Sequence, residues 1–217
     1  MNYMVTSNHI HLLVVDGGDR EVLPRSLQLV ASRTGQEYNQ RKGRKGAFWE
    51  DRYRATAIES GEHFVRCMAY IDLNMVRAGV VDHPSEWPDC GYHEIQNPRQ
   101  RYTIINQQKL SELAMLGAPK ALKESHADWL HEMLPPQGKG REDKWSTSVA
   151  VGREEFVAKI KQLLGVRATG RKIVNMSGAS ELREPSSPYN GDFMPENVGL
   201  SDENVHYLDI YHDNSDR

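Results

Sequence analysis

The segment Asn8–Val15 alternates polar and apolar residues through His9, Ile10 and His11, then runs apolar to Val15. That pattern predicts a buried strand. Asp16, Gly17, Gly18 and Asp19 supply a turn. Pro24 suits a helix start. Leu27, Val30, Ala31, Thr34 and Tyr38 then recur at three- and four-residue spacings, which predicts an amphipathic helix to about Arg41. Lys42 to Gly46 reads as a basic glycine loop, and the alternating run Tyr53–Ile58 predicts a second strand. After Glu59–His63 a helix is expected, with Phe64, Cys67, Met68, Ile71 and Met75 as its apolar stripe and Gly79 as its stop.

Beyond Pro84 the periodicity weakens. Trp87–Tyr92 reads as a packed loop, and helices are expected near Gln107–Leu116, Pro119–Leu134 and Glu154–Leu164. Pro135–Gly140 has the composition of a linker. The tail after Gly178 is rich in Ser, Pro, Asn and acids, and is expected to be mostly irregular.

Composition narrows the class. The 217 residues are 38% hydrophobic and 26% charged, with a mean hydropathy of −0.67, which fits a globular chain with a polar surface. Two cysteines, Cys67 and Cys90, are too few for a disulfide framework and suit a reducing, cytoplasmic setting. No apolar run approaches the ~20 residues needed to span a bilayer, so no membrane partner is expected. The net charge of −3 conceals an asymmetry. Pro24–Arg54 holds eight basic residues against three acids, whereas the last forty residues hold nine acids and two arginines. A near-neutral mean is therefore compatible with a nucleic-acid partner at the basic stretch.

Two segments carry candidate chemistry. On a strand, His9 and His11 project to one face, close enough to share a cation. Alone, such a pair reads as surface polarity, but the apolar flank Leu12–Val15 argues for burial, and a buried imidazole needs a partner. Tyr70 and Asn74 lie at i and i+4, on one face of the expected helix. Alone, they read as polar groups at a core edge.

Together with Phe48–Tyr53, these segments resemble a known family. Ser7–Val14 is similar to a Pro-Asn-His-Val-His-Leu-Leu-Val motif, and Tyr70–Gly79 to Tyr-Ile-x-x-Asn-Pro-Val-Arg-Ala-Gly. Both belong to single-tyrosine HUH endonucleases, among them the REP-associated tyrosine transposases and related insertion-sequence transposases. The resemblance covers roughly Met1 to Tyr92, with Ser7 and Met75 standing where the family usually has Pro. It implies an α+β fold: a ferredoxin-like antiparallel sheet with helices on one face, over residues 1–95. A helical region over 96–177 and an acidic tail over 178–217 would follow. It implies Tyr70 as nucleophile, with His9, His11 and Asn74 holding a divalent metal, Mg²⁺ or Mn²⁺. The partner would be single-stranded or hairpin DNA, cleaved and rejoined through a 5′-phosphotyrosine, with monomer and homodimer both open.

The family carries a strand, a helix and part of a second strand before its His pair. This sequence is expected to lack the first strand and helix. The alternative is then a truncated DNA-binding remnant that does not cut. A metal-dependent hydrolase on a similar sheet is a third option. Lys42, Arg44, Lys45, Arg52 and Arg54 suit phosphate contacts. Arg77 suits either DNA phosphate or the helix C-terminus, the latter slightly preferred. Trp49 is expected to pack rather than stack on bases, Trp129 and Trp145 to pack locally, and His63 to lie on the surface near its helix start. The acidic tail is a candidate screen for the basic loop.

Overall fold

The computed structural model describes residues 1–19, 21–50, 53–117, 121–134, 142–176, 178–184 and, for backbone alone, 205–211. In chain order the elements are β1 (Asn2–Val5), β2 (His9–Val15), α1 (Val22–Lys42), β3 (Arg54–Ile58), α2 (Glu62–Asp72), α3 (Asn74–Arg77), α4 (Tyr92–Gln96), α5 (Gln107–Leu113), α6 (Ala121–Met133), α7 (Lys144–Thr147), β4 (Ser148–Gly152), α8 (Glu154–Leu164), β5 (Lys172–Met176), β6 (Ala179–Arg183) and β7 (Val205–Tyr211). The class is α+β.

β1 and β2 form an antiparallel hairpin, and β3, β4, β6 and β5 form a mixed sheet. β7 pairs antiparallel with β2 on one side and β3 on the other, giving the order β1-β2-β7-β3-β4-β6-β5. Two details depart from an antiparallel sheet with helices on one face. β3 and β4 run parallel, with Ala57 opposite Ala150. Helices also cover both faces. Ile10, Leu12 and Val14 pack with Leu23 and Leu27 of α1, whereas Leu13 packs with Met4 and the α2 stripe Phe64, Met68 and Ile71. The physical reason lies in β2 itself, whose alternate positions are apolar on one side and His-His-Leu on the other, so each face demands cover.

The C-terminal half also departs from expectation. The stretch 96–177 was expected to be helical, yet it contributes β4 and β5, and the tail contributes β6 and β7. Pairing to β3 and to one another satisfies their backbone groups, which local propensity alone does not report. The expected linker Pro135–Gly140 lies outside the described residues.

α1 runs almost as predicted and ends at Gly43, whose φ of 63° suits a glycine cap. Gly35 lets Phe48 lie against the helix, since a Cβ there would sit 3.2 Å from the Phe48 Cβ. Trp49 donates its indole N–H to the Ala31 carbonyl at 2.9 Å, so it is packed, as expected.

The expected helix after His63 is interrupted at Leu73, where φ −83° and ψ 6° separate α2 from α3. Main-chain bonds still cross the break, from Leu73 N–H to the Ala69 carbonyl and from Arg77 N–H to the Leu73 carbonyl, both 2.9 Å. The helical path is therefore nearly continuous, and Gly79 ends it at φ 68°. Behind the break, the fully buried Asp72 carboxylate accepts a 2.8 Å bond from His126 Nε2 on α6. His126 Nδ1 accepts in turn from the Gln96 amide at 2.8 Å, and that amide also donates to the Lys123 carbonyl.

His126→Leu would leave the Asp72 carboxylate buried without its donor. The substitution is expected to destabilise the fold by roughly 3–5 kcal/mol, measured by denaturant unfolding; a change under about 1 kcal/mol would show that the pair does not pin α2.

Candidate functional site

The β1–β2 turn is closed by Thr6. Its N–H donates to the His9 carbonyl at 2.9 Å, and its hydroxyl accepts from His9 N–H at 3.0 Å. This places Thr6, Ser7 and Asn8 on the rim of a cavity of about 410 Å³. His9 and His11 line the same cavity from β2, and Tyr70, Asn74, Met75 and Arg77 line it from α2 and α3. The residues converge because Leu13, on the same face of β2 as the two histidines, packs beneath α2.

The two imidazoles lie near-parallel, with ring centroids 5.9 Å apart and planes inclined by 23°. His9 Nδ1 is 2.6 Å from the Asn8 side-chain oxygen. With an oxygen as acceptor, Nδ1 carries a proton, and in the neutral ring Nε2 is then the nitrogen able to ligate. His11 is 5% exposed, and its Nε2 accepts from the Asn74 amide at 3.1 Å. His9 and His11 thus bring two imidazoles to one cavity, beside an amide. That donor set fits a divalent cation: a half-turn of the Asn74 amide presents oxygen where nitrogen now stands. Among the described residues no group of three or more His, Cys, Asp or Glu could hold a metal, so a cation here would depend on the amide as third ligand.

Tyr70 is 7% exposed. On one side its ring meets Trp145, with centroids 6.0 Å apart. The Arg77 guanidinium carbon lies 3.8 Å from the ring centroid, and Arg77 donates to the Tyr70 carbonyl at 2.6 Å. Arg77 thus satisfies a carbonyl in the last turn of α2, ahead of the Gly79 end expected for the helix, while also covering the phenol ring.

The predicted basic residues divide. Arg54 is exposed at the start of β3. Its register partner on β7 is Asp209, which is also the register partner of His11. Arg54 and His11 thus share one row across the sheet, two strand spacings or about 10 Å apart. Lys42, Arg44 and Lys45 sit at the C-terminal end of α1, the helix that packs on the opposite face of β2, and do not line the cavity. Arg52 lies outside the described residues.

Three neighbours escaped the sequence reading. Thr6 and Asn8 orient His9 within a turn that carries no periodic signal, and Trp145 reaches Tyr70 across a long sequence separation. His63 is corrected: it is buried, with Nε2 3.8 Å from the Glu59 carboxylate. The Glu59 carboxylate also accepts from Arg153, at 2.6 Å from its backbone and 2.8 Å from its side chain.

A more open groove of about 570 Å³ lies at the end of α8 and brings together no comparable donors; its Arg171 already bonds the Arg167 carbonyl and Glu184. Among the described residues no helix is long and apolar enough to cross a membrane. Comparison with known protein families, characterised proteins and solved structures gives no match.

Burial holds the His63 pKa below the usual imidazole value, outweighing the opposing pull of Glu59. A group whose folded pKa is depressed loses its stabilising effect as pH falls, because the unfolded chain binds the proton first. The chain is expected to lose stability below about pH 6.5, with His63→Gln flattening the loss in melts across pH 7.5 to 5. Parallel curves for the two proteins would place the acid sensitivity elsewhere.

Proposed function

We propose that this chain nicks and rejoins single-stranded or hairpin DNA through Tyr70, as a single-tyrosine HUH transposase does. One observation carries the proposal: His9, His11, Tyr70 and Asn74, drawn from two distant segments, line one cavity. A divalent cation, Mn²⁺ or Mg²⁺, bound to His9, His11 and the side-chain oxygen of Asn74 would neutralise charge on the scissile phosphate. Two imidazoles favour Mn²⁺ over Mg²⁺ as the tighter occupant.

The chain's own groups would act as follows. Asn8 holds the His9 ring by its Nδ1 proton, and Nε2 would be the ligating nitrogen. The Tyr70 oxygen attacks phosphorus and forms a phosphotyrosine ester as the bond to the 3′ oxygen breaks. That oxygen leaves as a 3′-hydroxyl, so one proton passes in net from phenol to leaving group. Because the ester conserves the bond, a second 3′-hydroxyl can reverse the step and join a new strand. Arg54, in the row of His11, would meet a neighbouring phosphate.

One observation favours a DNA-binding protein that does not cut: Tyr70 is 7% exposed beneath Arg77. A single experiment separates the two. The full chain with Mn²⁺ and a hairpin-flanked oligonucleotide is expected to give a covalent protein–DNA adduct on a denaturing gel. Tyr70→Phe should abolish the adduct while DNA binding persists. Binding without an adduct in the unsubstituted chain selects the second reading. For the orienting role of Asn8, calorimetric titration of Asn8→Ala with Mn²⁺ is expected to show affinity lower by about 10- to 100-fold; unchanged affinity would remove Asn8 from the site.

A further inference from the structure

Between α4 and α5 the chain makes an exposed loop, and every residue from Asn97 to Ile104 is solvent-facing. The loop is nevertheless firmly held. Glu94 is 2% exposed, and one of its carboxylate oxygens accepts from both Ile104 N–H and Ile105 N–H at 2.7 Å. Its main-chain carbonyl accepts from the Gln107 amide at 2.9 Å. Beyond the anchor, Ile105 is 3% exposed in the core, and Asn106 caps α5 by accepting from Lys109 N–H.

On this rigid base stands Tyr102, 92% exposed and at φ 56°. Both features cost free energy. A left-handed conformation is unfavourable for a residue with a Cβ. A bare aromatic ring leaves its whole apolar surface in water. Packing within the described residues offsets neither. The loop also carries Arg99 and Arg101. Arg99 is loosely tethered to Glu94 at 4.0 Å with its side chain 55% exposed, and Arg101 pairs with no acid among the described residues.

An exposed ring that follows two arginines on one fixed loop combines a stacking surface with phosphate-binding charge. We infer that the Arg99–Ile104 loop is a contact site for single-stranded nucleic acid, with Tyr102 stacking on an unpaired base and Arg99 and Arg101 meeting flanking phosphates. Base stacking needs an unpaired partner, which favours a single strand over a duplex. Two positive charges beside an aromatic ring suit a strand that alternates phosphates with stacking bases better than an acidic peptide, whose carboxylates carry charge but no comparable π-face. For the strand to be the DNA that Tyr70 would cut, the inference rests on the function proposed above; the loop's own binding does not.

The test uses the full chain carrying Tyr70→Phe, so that nothing is cleaved, and a fluorescein-labelled oligothymidine read by anisotropy at several salt concentrations. Tyr102→Gly is the informative variant, because it relieves the φ strain and so keeps the fold. It is expected to weaken binding by roughly 5- to 100-fold, the range of one base–aromatic stack. Tyr102→Phe should bind nearly as well as tyrosine. Arg101→Ala should lower the salt slope by about one. An oligonucleotide carrying 5-iododeoxyuridine should photo-crosslink to Tyr102. Unchanged affinity for Tyr102→Gly, or a loss that Tyr102→Phe shares, overturns the stacking site. So does equal loss for duplex and single strand.

The two proposals fail separately. An adduct at Tyr70 with Tyr102 variants binding normally overturns only the loop. Tyr102-dependent binding without an adduct overturns only the nicking activity. No binding of single strands overturns both.

Discussion

The packing of the α2 stripe on Met4 and Leu13 is the contact on which the site depends. Phe64, Met68 and Ile71 are wholly buried there, and each would cost about 2–5 kcal/mol to truncate. That contact sets the distance between the strand carrying His9 and His11 and the helix carrying Tyr70 and Asn74. The Asn2 amide adds a bond to the Met68 carbonyl at 3.5 Å, tying the hairpin edge to the same turn of helix. The histidines then fall over α2 because strand alternation places them on the face of Leu13.

A second constraint acts from behind. Asp72 lies between Tyr70 and Asn74 in sequence but points into the protein, where His126 and Gln96 hold it. Three residues of five thus divide between two jobs, two facing the cavity and one anchoring the helix. Leu73, 2% exposed, takes the break in the helix without releasing either side. The Asp72 pair adds little net stability by itself, since desolvation offsets most of its attraction. Its effect is geometric, because any shift of α2 along its axis would break a buried charged bond.

This division explains what was legible in the sequence. β2 and α2 were readable because each buries an apolar set at its own period, and Tyr70 and Asn74 follow from helical spacing. β4 was not. Its residues Ser148 to Gly152 are buried almost throughout, so no alternation marks it. Its parallel partner β3 is some ninety residues away, and nothing local announces the pairing. β7 alternates in sequence, but it sits in an acidic, Ser- and Pro-rich tail whose composition argued for irregular chain. Within the site, the motif residues were legible as types, whereas the groups that orient them, Thr6, Asn8 and Trp145, are defined only by the fold. The burial of His63 was not legible because a polar residue in a first helical turn is usually solvated, whereas here the imidazole lies against Glu59, whose carboxylate Arg153 holds.

Arg77 raises the question of which interaction wins when a phosphate enters the cavity. Its contacts include the Tyr70 ring face and the neutral Tyr70 carbonyl. A cation over an aromatic ring contributes about 0.5–1 kcal/mol where water has access, and a neutral hydrogen bond about 1 kcal/mol. Bonds from a guanidinium to a phosphate are charge-assisted and often paired, at about 1.5–3 kcal/mol each. Under the proposed function, a phosphate bond would outweigh each of these two contacts taken singly. Were phosphate to draw the guanidinium away, the ring would be uncovered on that side, so burial of the ring in the free protein does not oppose nucleophilic use of its oxygen.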